Sequence, residues 1–113
     1  MTLRDKILGA DDLPAETVDV PEWGVSLRVR ALTAAERIAY EAGVARDGKP
    51  DLAAMKAGLV VAAAIDAQGA PVFGHNDLPA LLGKSAVAIE RLFVVAARLS
   101  ALFAKDVEVL AKN

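Results

Sequence analysis

VPEWGVSLRVRALTAAER, Val20–Arg37, decides how the rest of the chain is read. Val25, Leu27 and Val29 alternate with Ser26, Arg28 and Arg30, the period of a strand with one buried and one wet face. Upstream, ETVDV (16–20) reads as a second short strand, and the Pro/Gly-containing PEWG joins the two as a turn. LTAAER then opens a helix. Thr33 is placed as its N-cap and Glu36 stands at N3, the reciprocal spacing of a capping box. A strand pair of this size is marginal alone in water, so the hairpin must rest on the helices that follow or on a partner.

Those helices are read from caps and stripes. The first runs from Thr33 to about Arg46, loosens at Gly43, and carries an exposed Arg37–Glu41 pair. RDGKP is a turn, and Asp51 caps DLAAMKAGLVVAAAID (51–66), apolar nearly all round and interrupted only by Lys56. DAQGAPVFGHNDLP is an irregular connector, with Asn76 or Asp77 capping a short turn through Leu82. Ser85 caps a long last helix with Ile89, Leu92, Phe93, Ala96, Leu99 and Phe103 on its core stripe. Arg91, Arg98 and Lys105, seven apart, mark its wet edge. Ahead of the hairpin, residues 3–8 make a turn or two of helix that GADDLP ends. The expected fold is α+β, mainly α: an N-terminal β-hairpin followed by a bundle of three to four helices. The 113 residues form one domain, with 1–15 a lead-in, 16–31 the hairpin and 33–112 the helical body.

Composition removes several function classes. The net charge is −2 and no basic block occurs, so the electrostatic footprint of nucleic-acid binding is missing. Without cysteine there is no disulfide, thiolate or Cys-ligated zinc chemistry. His75 is the only histidine and sits in a Gly/Asn loop, so sites needing several His ligands are excluded. Gly83-Lys84-Ser85 has the ending of a P-loop, but Leu78 stands where the motif needs its first Gly. Asp66, Asn76 and Asp77 lack Ca²⁺-loop spacing. No enzyme, metal or cofactor is expected. The opening MTLRDKILGADDLPAE lacks the apolar core of a signal peptide, so a cytoplasmic location is expected. The most apolar segment, 86–104, holds Glu90, Arg91 and Arg98, each costing ~2.5–3.5 kcal/mol in a bilayer centre, and is read as a buried or shared helix. Residues 1–24 concentrate six acids, Asp5, Asp11, Asp12, Glu16, Asp19 and Glu22, against Arg4 and Lys6, a pattern usual for a solvated face.

Two helices carry more apolar circumference than a core of this size covers, which points to self-association or to a groove for a partner's helix. From periodicity the trough is assigned to Leu59, Val61, Val94, Val95, Leu99 and Leu102; the alternative is that they are internal core. Trp23 either clamps the hairpin onto the helices or meets a partner. The hairpin itself serves as a lid or offers an edge for pairing between copies.

The order of these pieces resembles a known family. An acidic lead, VPEWG, the strand VSLRVRALTAAER, an apolar helix ending in AID, DAQGAPVF and a last helix with LSALFAKDVEVLAKN are similar to the tail assembly chaperones of long-tailed bacteriophages and prophages, over about Val20–Asn113. The resemblance implies a protein of the host cytoplasm that coats the helical tape measure protein, helps recruit tail-tube protein and is absent from the mature virion. It also implies a longer form made by ribosomal frameshifting, with which the residues Lys112-Asn113, which AAA-AAY codons can encode, are compatible. The competing reading is a small oligomeric head–tail connector-like protein of the virion.

Overall fold

The computed structural model describes residues 1–46 and 48–103. Ten elements follow one another: α1 (Leu3–Leu8), β1 (Ala15–Val20), β2 (Val25–Arg30), α2 (Ala34–Gly43), β3 (Ala45–Arg46), β4 (Lys49–Pro50), α3 (Leu52–Ala63), β5 (Ala64–Ile65), α4 (Leu78–Leu81) and α5 (Ala86–Leu99). The architecture is α+β, with an antiparallel three-stranded sheet and the helices around it.

The hairpin forms as its alternation dictates. β1 and β2 pair with Glu16 opposite Val29, Val18 opposite Leu27 and Val20 opposite Val25. Pro21–Trp23 makes one 3₁₀ turn, and Gly24 closes it at φ 66°, a left-handed conformation that costs glycine little. Val18, Val20 and Val29 are buried and Leu27 is half-buried, while Thr17, Asp19 and Arg28 face water; Val25, expected on the buried face, is 50% exposed beside the turn. On the wet face the Ser26 hydroxyl donates to Asp19 Oδ1 at 2.6 Å.

The sheet has a third strand that the helical pattern hides. α3 ends at Ala63, and Ala64–Ile65 extend to pair with the far side of β2, Ala64 opposite Val29 and Ile65 opposite Arg28. β2 is therefore central and β1 an edge. The expected helix through Asp66 is shorter because Asp66 builds a turn. Its Oδ1 accepts from the Gln68 and Ala70 N–H groups at 2.8 and 3.0 Å, and Gly69 takes φ 83°. Such Asx turns compete directly with helix continuation.

Three helix starts match their local signals, whereas Asp77 ahead of α4 makes no side-chain cap bond there and instead accepts from Gly74 N–H at 2.8 Å. Thr33 and Glu36 form the full capping box of α2, the Asp51 side chain accepts from Ala54 N–H, and the Ser85 hydroxyl accepts from Ala88 N–H. Arg37 and Glu41 pair at 3.5 Å. Helix ends differ from expectation. α2 stops at Gly43, and Ala45–Arg46 turn back against Lys49–Pro50 as a two-residue ladder. α5 stops at Leu99, so Phe103 lies beyond the helix. The reason is a Schellman closure: Ala101 N–H bonds Arg98 C=O at 3.1 Å and Leu102 N–H bonds Ala97 C=O at 2.9 Å, with Ala101 at φ 53°. Lys105 and Lys112-Asn113 lie outside the described residues.

α3 and α5 pack on each other and on the buried face of the sheet, α2 joins α3, and α4 is a single turn against α3. Leu59 and Leu92 have no solvent exposure. Each contributes roughly 1.5–3 kcal/mol by leaving water. Among the described α-helices, α1 alone buries nothing.

Candidate partner-binding surfaces

Between α2, α3 and the connector lies a half-open groove of about 370 Å³. Its floor on α3 is Ala54, Gly58 and Ala62, one turn apart, beside Val61; Ala39 and Tyr40 form one wall, Phe73 and Leu78 the other. A side chain added at Gly58 would point into open space. The Tyr40 hydroxyl donates to Met55 C=O at 2.6 Å. Burial pushes this phenol up to about 12, so it remains a neutral donor. At the rim Glu36 is partly buried, which raises its pKa. The guanidinium of Arg30 at 3.0 Å and the Thr33 N–H at 2.8 Å outweigh this and keep the carboxyl below its ordinary value. His75, also in the lining, is exposed. With its hydroxyl engaged and its acid paired, the groove offers shape and apolar contact.

A second apolar surface is the outer side of α5. Val87 and Val94, seven residues apart on the same side, are 62% and 53% exposed. Ala86 and Val95 flank them. The charges along this strip are engaged. Glu90 binds Lys56 of α3 at 2.6 Å, and Lys56 Nζ also stands 5.8 Å from the centre of the Phe93 ring. Arg91 binds Glu22 at the hairpin turn through two bonds of 2.7 and 3.0 Å. Arg98 binds Glu16 at the start of β1 at 2.5 Å. The spacing of seven that reads as a wet edge thus fastens the hairpin to α5, and two of the six front acids are its partners. The Arg98 hydrogen bond lowers the Glu16 pKa, and the Arg91 hydrogen bond lowers that of Glu22 to about 2.

The six residues assigned to one trough fall in different places. Leu59 and Leu102 are core. Val61 is buried core as well and only edges the groove, Val94 is exposed on α5 with Val95 half-buried beside it, and Leu99 lines a separate recess with Leu13, Pro14 and Leu32. Leu59 and Val61 cannot share a surface because two residues of α-helix turn by about 200°. Trp23 is half-buried and packs against the core, the clamping arrangement. The groove's Tyr40 and Phe73 were not among the sequence candidates; the lone Phe of the connector was their only signal. Among the described residues, no helix is long and apolar enough to cross a membrane.

This arrangement of sheet and helices is similar to a solved structure, the bacteriophage HK97 tail assembly chaperone, with a TM-score of 0.61 over 85% of this chain and 91% of that chain. The two are 23% identical, a likeness of fold. No protein-family profile matches the chain, and no curated protein does. The chain has a tail assembly chaperone-like fold.

Proposed function

We propose that the chain is a non-enzymatic tail assembly chaperone of a long-tailed phage or prophage. It binds amphipathic helices of a tape measure protein in the host cytoplasm, helps recruit tail-tube protein, partly through a frameshifted longer form, and leaves before the virion matures. The observation that carries this reading is the shared fold over nearly the whole of both chains. The Val87–Val94 strip supports it: two exposed apolar residues two turns apart complement the i, i+3, i+4, i+7 anchors of an amphipathic helix.

The test is purification of the tagged chain from its native gene cluster, with co-purifying proteins identified by mass spectrometry. Recovery of a very long helical protein with the wild type, and its loss with Val94→Asp, is the expected result. Val94 is exposed, so the charge leaves the core intact. Finding the chain in finished particles, with no such partner, would instead make it a connector-like structural protein.

A further inference from the structure

α5 ends in a reversal. Ala101 and Phe103 both take left-handed backbone, at φ 53° and 56°. Ala101 serves the helix closure. Phe103 lies past that closure, and a bulky residue adopts this conformation only where its surroundings hold it there. What holds it is Phe93: the two rings stand 5.9 Å apart, tilted by 40°. Phe93 lies well inside α5, which ends at Leu99, so by Phe103 the chain has already turned back along the helix. Ala97 stands one turn beyond both Phe93 and Val94, which makes the three neighbours. Ala97 is buried, whereas Val94 and, two turns back, Val87 are more than half exposed. Cover on this side of α5 reaches Ala97 and stops short of Val94.

The sequence continues from Phe103 with AKDVEVLAKN, residues 104–113. Val107 and Leu110 have the i, i+3 spacing that brings two side chains together on one side of a helical turn. Lys105 and Lys112 balance Asp106 and Glu108, so the segment brings no net charge. The strip asks for none, because Glu90 and Arg91 beside it already hold Lys56 and Glu22. Its length is sufficient: Val87 lies about 9 Å from Phe93 along α5, and residues 104–113 span about 15 Å even wound as helix. We propose that residues 104–113 fold back on their own copy and seat Val107 and Leu110 on the Val94–Val87 strip. The strip is then covered within the single molecule by the segment that the reversal at Phe103 aims along it. This cover stands independently of the function proposed above; where that function holds, a partner's helix gains the strip only by displacing residues 104–113.

The chain has no cysteine, so Val94→Cys places one reporter thiol on the strip. In the full chain its reaction with N-ethylmaleimide should be at least about tenfold slower than in the same chain carrying Val107→Asn and Leu110→Asn, because the open state is then the minor one. These two changes remove the apolar seat and add no charge. The protection should be equal from roughly 1 to 100 µM chain, since a cover within one molecule does not follow mass action. Ile38→Cys, at an exposed position of α2, should react at one rate with either C-terminal sequence. Equal rates at residue 94 with and without the two Asn changes would overturn the proposal. So would protection that grows with concentration, which assigns the cover to another copy. A change of the same size at residue 38 would overturn it as well, because the C-terminal residues would then act on the whole fold. No partner protein enters this experiment, so its failure is distinct from failure of the co-purification that tests the proposed function.

Discussion

Arg91 of α5 holds Glu22 of the hairpin turn with two parallel hydrogen bonds, 2.7 and 3.0 Å long, across 69 residues of sequence. With Glu16–Arg98 at the other end of β1, the pair fastens both ends of the hairpin to one helix. The Glu22 carboxyl titrates at about 2 in the folded chain against an ordinary 4.5. A carboxyl lowered on folding stabilises the fold above its ordinary value and loses that contribution as it is protonated. The contribution of this pair should therefore hold level above pH 4.5 and fall as pH drops toward 2. Arg91→Gln should make that acid limb shallower, leaving the share due to Glu16 and Glu36, and leave the neutral-pH fold intact. Urea midpoints across the acid range measure it, and an unchanged limb in the variant would remove the latch from the account.

Val29→Pro tests the centrality of β2. Val29 pairs with Glu16 on one side and Ala64 on the other, so it has no free edge. Proline removes a ladder donor, leaves a buried acceptor unpaired at ~1–3 kcal/mol, and takes away a core valine. The expected loss is about 3 kcal/mol or more in urea unfolding, enough to unfold a marginal domain. The substitution cannot probe edge pairing between copies, because the free edge belongs to β1.

What could be read from the sequence is what neighbouring residues decide among themselves. Thr33 with Glu36, Asp51 with Ala54 and Ser85 with Ala88 lie within one turn, so their caps were legible, as was the 20–30 alternation. Ala64 and Ile65 fit helix or strand alike; the open side of β2, distant in sequence, made them a strand. Periodicity found apolar positions on α3 and α5 but not which of them the rest of the chain covers. Leu59 and Leu102 therefore went to the core, while Tyr40 and Phe73, brought together only by tertiary packing, make the groove.

Ala101→Gly should stabilise the chain. The Schellman closure of α5 needs a left-handed residue, and Ala101 occupies it at φ 53° where glycine is usual. Relief of a ~1–2 kcal/mol conformational cost is partly offset by the ~0.4–1 kcal/mol of extra freedom glycine gives the unfolded chain. The net expectation is a gain of roughly 0.5–1 kcal/mol, read as a higher urea midpoint at unchanged slope. A loss would mean that α5 does not end in this closure.

Tyr40→Phe separates the groove's hydrogen bond from its shape. The ring stays and the 2.6 Å bond from the hydroxyl to Met55 C=O goes, which should cost about 0.5–1.5 kcal/mol at neutral pH. The alkaline behaviour distinguishes this bond from simple packing. Burial raises the phenol from 10 to about 12, so its contribution is complete below pH 10, where the unfolded phenol is still neutral. It declines as pH climbs from 10 through 12, because the unfolded chain releases the proton first. The stability gap between wild type and Tyr40→Phe should therefore shrink across that window. Tyr40 is the only tyrosine, so tyrosinate absorbance follows its ionisation directly. A phenol that titrates near 10 in the folded chain, with a gap that stays constant, would show the hydroxyl to be open to water and the groove wall to be looser than its geometry indicates.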